Sequence, residues 1–223
     1  MASILALFSS VLWGSADYHA GRLSKKFPII AVLAVSQAIG FITGVVLVLF
    51  SGSWDAEPFG SGGYLLPGVF AGIFGYLGLI CLYAGLSTGR MGVVSPISSL
   101  SALIPLGYAL YFKGDDLSTI ISIGVFIAML GGFLASGPEV SQGLPLKPVV
   151  LALGAALGFG ACLAFMAEGS QSSALMTMVS MRAATFIVSV AILIRLRGTG
   201  GMGKAHLPLL IFIGVADFLA NLL

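Results

Sequence analysis

Asp17, Gln37, Arg182, Asp217 and Asn221 stand inside runs of almost uniformly apolar residues. A charged or amide side chain at such depth is costly in a bilayer, so it faces a partner or a watery path. Arg182 lies nine residues into the run that starts at Ser173, about 13–14 Å deep at helical rise. Asp217 lies ten residues into the run that starts at Leu207, about 15 Å deep from the opposite side. In a hydrocarbon core of about 30 Å both sit near the midplane, and the two runs are consecutive and antiparallel. Asp17 is five residues from Arg22, only about 7–8 Å from the basic face. Depth therefore pairs Arg182 with Asp217 and leaves Asp17 as a separate group near the membrane face, a candidate for proton coupling. A guanidinium placed this way can exchange its carboxylate for an anionic or zwitterionic solute. The plainer use of the same groups is helix-to-helix hydrogen bonding.

Catalytic chemistry finds little support. The chain has two histidines, His19 and His206. Asp17 and His19 are about 200° apart around a helix axis, so they do not share a face and make no metal site. No phosphate-binding glycine loop and no Cys/His cluster occurs, and no cofactor is implied. Cys81 and Cys162 both fall inside apolar runs, as small inert core residues do. Trp13 is a cavity or interface candidate, and Trp54, in an acidic loop, is an interfacial anchor.

The elements that position these groups are membrane helices. Of the 223 residues 58% are hydrophobic and 8% charged, against about a quarter charged in soluble domains. A helix needs about 20 apolar residues to cross a bilayer. Eight segments meet or approach that length: Ser3–Gly21, Pro28–Phe50, Gly63–Leu86, Met91–Phe112, Leu117–Ser136, Pro148–Ala167, Ser173–Ile194 and Leu207–Leu223. Strand alternation is absent, so the expected class is an all-α polytopic membrane protein in contact with lipid. The net charge of +2 does not signal nucleic acid, because the basic residues lie in loops between apolar runs. The first run lacks a basic leader, unlike a signal peptide.

Met91–Phe112 is the unusual helix. Pro105 has no N–H for the carbonyl of Ser101, so the helix is expected to bend or open there. Ser95, Ser98, Ser99 and Ser101 precede the break, as in the wall of a solute pathway. A kinked packing helix with small residues fits equally. Glycine pairs at small-xxx-small spacing, Gly40/Gly44, Gly68/Gly72 and Gly154/Gly158, predict close helix contacts.

A weak internal repeat appears at a shift of 145 positions, matching Leu12/Leu157, Ala16/Ala161, Ala38/Ala183, Phe41/Phe186, Ile42/Ile187 and Val45/Val190. Gln37 is then the equivalent of Arg182. Alternate loops put eight of the ten Lys and Arg residues on one side: Arg22, Lys25, Lys26, Arg90, Lys147, Arg195, Arg197 and Lys204. The other side carries Lys113, with Asp55 and Glu57. The basic side is expected to be cytoplasmic, which puts the N-terminus outside. The loop after the first segment is basic and its counterpart Glu168–Ser172 is not. Five helices per repeat is odd, so the second repeat enters inverted. Gly214 aligns with Gly72. Repeat one continues from Gly72 to Ser136, whereas the sequence ends nine residues after Gly214, so about 55 more residues, two helices, are expected beyond Leu223.

Several residues carry a family resemblance. They are Leu12-Trp13-Gly14, Ala84-Gly85-Leu86, Ser99-Leu100 before Pro105, the turn Gly114-Asp115, and the spaced Gly124 and Gly131. In order and spacing they resemble the EamA-like branch of the drug/metabolite transporter superfamily, with Asp115 where that family usually has Glu. The resemblance implies ten helices in two inverted five-helix repeats, eight of them present: 1–140 as the first repeat (helices 1–5) and 146–223 as an incomplete second (helices 6–8). It also implies cytoplasmic termini, against the charge count. The family often carries Arg at the position of Gln37, so repeat one departs from it and repeat two keeps it. The function implied is a secondary transporter in the cytoplasmic membrane. It would export a small metabolite, amino acid or drug-like solute by alternating access, with Trp13, Asp17, Gln37, Ser98, Ser101, Pro105, Arg182 and Asp217 as pathway or coupling candidates. Two other classes stay open. A membrane-embedded lipid-modifying enzyme would need a His, Asp, Glu or Cys cluster at a membrane face. A structural or regulatory membrane protein would carry no flux.

Overall fold

The computed structural model describes residues 2–54, 58–59, 63–88, 90–114, 116, 118–140 and 146–222. Asp55, Glu57, Asp115 and Leu223, which the sequence reading used, lie outside them. Every regular element among the described residues is helical. In chain order they are α1 (Ala2–Ser24), α2 (Ile29–Ser51), α3 (Leu65–Ser87), α4 (Met91–Ser99), α5 (Leu103–Tyr108), α6 (Thr119–Val140), α7 (Leu146–Arg195) and α8 (Leu207–Leu222). A 3₁₀ turn at Leu100–Ala102 joins α4 to α5, a π segment covers Ala109–Lys113, and a second 3₁₀ turn, Lys204–His206, leads into α8. Among the described residues five helical stretches are long and apolar enough to cross a membrane: Ile29–Ser51, Leu65–Ser87, Met91–Phe112, Leu146–Arg195 and Lys204–Leu222.

Local sequence explains the boundaries. Pro28, whose ring fixes φ, precedes the first turn of α2. Gly52 closes α2 in the left-handed conformation and returns its N–H to the Val48 carbonyl at 3.0 Å. The proline break falls where Pro105 requires it, because the 3₁₀ turn at Leu100–Ala102 includes Ser101, whose carbonyl loses its α-helical donor at Pro105 and accepts a backbone N–H at the end of the turn instead.

At 50 residues α7 would be about 75 Å long if straight, far beyond one bilayer. It is not straight. Ser173 takes an extended conformation (φ −154°, ψ 112°) and its Oγ accepts the Met176 N–H at 3.3 Å, capping a new helix. A Cβ on Gly169 would lie 2.7 Å from the Thr177 side chain, yet eight residues of unbroken helix span about 12 Å. The chain therefore reverses sharply at Ser173 into two arms, 146–172 and 174–195. The sequence suggests a loop over Glu168–Ser172. The structure keeps those residues helical and concentrates the turn in one serine, whose side chain replaces the missing backbone acceptor.

The chain forms two compact units, one of Met1–Ile73 with Phe165–Leu223, the other of Phe74–Ala164. In the first, α8 packs on α1 and on α2. Ala16, Ala20, Ala31, Val32, Leu33, Ala34, Ile213 and Phe218 are its buried apolar lining. The Gly-rich turn after Arg195 folds back on the start of α2. A Cβ on Gly200 (φ +64°) would sit 2.8 Å from that of Ala31, so glycine is required there on both counts. In the second unit α4 packs on α6, and Gly158 lies against Gly78, where a Cβ would come within 2.7 Å of the Gly78 Cα. The glycine pairs at small-xxx-small spacing thus mark close helix contacts.

Candidate functional site

Three helices of the first unit bring their polar residues to one point. The 174–195 arm supplies Arg182, α2 supplies Gln37 and α8 supplies Asp217, all three buried. Arg182 Nη2 pairs with Asp217 Oδ2 at 2.8 Å. Its Nη1 donates to Gln37 Oε1. The other end of the same amide, Nε2, donates to Asp217 Oδ2 at 3.3 Å. Gln37 therefore spans the ion pair, and both ends of its amide are assigned by their partners. Asp217 is the partner of Arg182, as their matched depths require.

Second contacts hold this triangle in place. Thr185 Oγ1 lies 3.3 Å from Gln37 Oε1 and 3.0 Å from the Arg182 carbonyl oxygen, donating toward both. Asn221, one turn beyond Asp217, donates its Nδ2 to the Asp217 carbonyl at 2.7 Å and to Oδ1 at 3.4 Å. The guanidinium carbon sits 6.0 Å from the centre of the Phe218 ring. Room for the Arg182 stem comes from Gly40, where an added Cβ would already touch Cδ and Nε at 3.7 Å. Arg182 Nε is buried and has no hydrogen-bond partner among the described residues. Thr185 and Phe218 are the members that sequence reasoning missed. Each lies within one turn of a charged residue, Thr185 three after Arg182 and Phe218 next to Asp217, and that spacing was the available signal.

Chemically this is a desolvated guanidinium whose fork is divided between a carboxylate and an amide. Such a group binds carboxylates and phosphates through two parallel hydrogen bonds when both arms are free. Its present partners keep it neutralised, since an uncompensated charge at this depth is strongly unfavourable.

The remaining candidates distribute as follows. Asp17, half-buried on α1, lies within electrostatic range of Asp217. Trp13 is half-buried on the same helix, which is tied to α8 by a Ser9 Oγ bond to the Ala220 carbonyl at 2.6 Å. His19 stands edge-on to Phe212 at 5.7 Å. Among the described residues no group of three or more His, Cys, Asp or Glu could hold a metal ion. Ser98, Ser101 and Pro105 belong to the other unit. Ser98 and Ser101 are buried and Pro105 half-buried. The Ser98 hydroxyl donates to the Ser95 carbonyl of its own helix at 2.9 Å. A hollow of about 310 Å³ in the first unit, lined by Phe59, Phe70, Phe165 and Glu168 among others, contains none of the candidates.

Comparison with known proteins adds two findings. The EamA-like transporter family matches residues 1–137, more than half of the chain. A solved structure described only as "Crystal structure of protein" superposes with a TM-score of 0.73 at 14% identity, over 99% of this chain and 78% of that one, and so shares its fold. No curated protein matches.

Proposed function

We propose a transport mechanism from one premise: the chain belongs to the EamA-like transporter family, within the drug/metabolite transporter superfamily. It is a multi-pass membrane protein of a family that moves small solutes. In our reading it is a secondary transporter of the cytoplasmic membrane, exporting a small metabolite, amino acid or drug-like solute. Met91–Phe112, which holds α4 and α5, is one crossing and α7 is two, which makes eight crossings, arranged as inverted repeats that alternate access to a central site. Each half of α7 then crosses once, which suits its reversal at Ser173.

The observation that carries this reading is the buried Arg182–Asp217 pair bridged by Gln37. At rest Asp217 neutralises Arg182. An anionic or zwitterionic solute competes for the guanidinium, and the displaced carboxylate stays satisfied by Gln37 and Asn221. Asp17, the second carboxylate in range, is the proton-coupling group. Pro105 and the serines before it shape part of the pathway wall.

The test is solute flux in proteoliposomes made from the full-length protein. Carboxylated amino acids and neutral analogues are compared in the wild type and in Arg182→Lys, which keeps the charge and loses the fork. Flux of the carboxylated solutes that falls selectively in Arg182→Lys supports the assignment. Flux with no preference for an anionic group removes Arg182 from the pathway. Absence of any flux favours a structural or regulatory role.

A further inference from the structure

Two glycine contacts in the first unit are copies of one another. A Cβ on Gly214 of α8 would lie 2.5 Å from the Ser36 carbonyl oxygen and 2.8 Å from the Ile39 Cβ, both on α2. A Cβ on Gly72 of α3 would lie 2.6 Å from the Met181 carbonyl oxygen and 3.1 Å from the Ala184 Cβ, both on the 174–195 arm. Ser36 and Met181 differ by the same 145 positions that separate Gln37 from Arg182, and so do Ile39 and Ala184. Gly72 and Gly214, the two glycines the sequence aligns, are 142 positions apart, so the offset shortens by three between the second and third helices of the repeats. The third helix of each repeat thus docks on the second helix of the other, through equivalent atoms.

The seam between α2 and the 174–195 arm follows the same rule. Gln37 meets Thr185 and Gly40 meets Arg182, and shifting the first pair by one repeat yields the second. Equivalent residues also meet directly. Gln37 bonds Arg182, and Phe41 stacks on Phe186 with ring centres 4.8 Å apart. Gln37, Gly40 and Gly44 meet Thr185, Arg182 and Val179 in descending order, so the two helices run antiparallel. A contact of i with j matched by one of j with i, together with contacts between equivalents, marks a two-fold interface. Antiparallel packing puts that axis across the helices, as an inverted repeat requires.

The charges break this symmetry. Arg182 is the counterpart of Gln37, and Asp217, three residues after Gly214, is the counterpart of Gly75. Only the second repeat carries the ion pair. We infer that the seam of α2 with the 174–195 arm is a fixed two-fold axle, and that the Arg182–Asp217 pair is a one-sided latch holding α8 to it. Its counterpart α3 carries Gly75, not a carboxylate, at the equivalent place and docks on the arm through the close approaches of Gly68 and Gly72. The purpose of the latch rests on the transport reading: a solute anion that takes Arg182 releases α8 and leaves α3 in place.

The test measures spin-label distances in the full-length protein in lipid nanodiscs, with Cys81 and Cys162 replaced by Ala. One label pair is placed at Ile42 and Phe212, and its symmetry mate at Ile187 and Phe70, all four exposed. Matching mean distances are expected for the two pairs. In Asp217→Asn the 42–212 distribution should broaden by several ångströms while the 70–187 distribution stays as it was. Asp217→Glu, which keeps the charge and shifts the carboxylate, should give a smaller change on the same side and serves if the Asn variant does not insert. Unequal wild-type distances would overturn the axle. An equal response of both pairs, or of neither, would overturn the latch. The readout needs no solute, so intact distances in a protein without flux would discard the transport reading and keep the inference.

Discussion

Both units satisfy most hydroxyls within their own helices, but the first also carries a buried charged cluster that joins helices. In the first, Arg182, Gln37 and Asp217 reach across three helices, joining residues up to 180 positions apart. In the second, four serine and threonine hydroxyls bond locally. Ser87, Thr88, Ser98 and Ser99 each donate to the carbonyl three residues back, at 2.6–2.9 Å. The physical reason lies in the residue types. A hydroxyl can bond a backbone carbonyl one turn back. A guanidinium or carboxylate at bilayer depth needs a counter-charge, and only another helix supplies it. The first unit thus has a few long-range polar contacts at its centre, and the serines around the helix break of the second have local ones. Substitutions should separate the two.

The largest effect is expected at the ion pair. Asp217→Asn or Arg182→Gln leaves one buried charge uncompensated, a change that typically costs about 3–5 kcal/mol. Thermal unfolding in detergent should show a strong loss, and flux should fall with it. The exchange Arg182→Asp with Asp217→Arg should recover part of both. A double variant no better than either single one, with rescue instead from a change at Asp17, would move the pairing to α1.

Next come the bridge and the glycine contacts. Gln37→Leu strands one donor of Arg182 and one acceptor of Asp217, at about 1–3 kcal/mol. Gly214→Ala drives a methyl to 2.5 Å from a backbone oxygen, an overpacking of about 1–3 kcal/mol. Gly72→Ala should match it, since the two contacts are equivalent. Gly14→Ala is the control. Nothing lies within 4 Å of its added Cβ, so the helix should gain about 0.5–1 kcal/mol. An equal gain at Gly14 and Gly214 would show that helix propensity, and not the close approach, sets the effect.

Much of the first unit is legible in the sequence. Depth counting alone paired Arg182 with Asp217, because a bilayer turns position along a helix into a physical constraint. The shift of 145 placed Gln37 opposite Arg182 in the repeat. It did not reveal that the two touch, because contact between equivalents depends on where the axis passes, and one chain's pattern carries no rotation. Thr185 was missed because a threonine in an apolar helix usually spends its hydroxyl on the turn before it. The second unit was legible at Pro105, whose missing N–H fixes the place of the 3₁₀ turn. The π segment at Ala109–Lys113 was not, as ALYFK contains neither proline nor glycine and its extra residue per turn has no local signature.

The smallest effects on stability are expected in the second unit, where they also decide what the helix break is for. Ser98→Ala removes a hydroxyl that serves only the Ser95 carbonyl, and alanine is the better helix former, so the net change should stay within about 0.5 kcal/mol. Pro105→Ala returns an N–H to the Ser101 carbonyl and allows the 3₁₀ turn to relax toward a regular helix. Membrane insertion should be normal and thermal stability equal or slightly higher. Flux should nevertheless fall several-fold, because the wall set by the turn at Leu100–Ala102 straightens. Ser98→Ala should leave flux unchanged in the same assay, since it alters no backbone. Unchanged kinetics in Pro105→Ala would make the break a packing feature. A loss of flux in Ser98→Ala would mean that the hydroxyl leaves its carbonyl to meet the solute, and that the second unit, like the first, works through a polar contact.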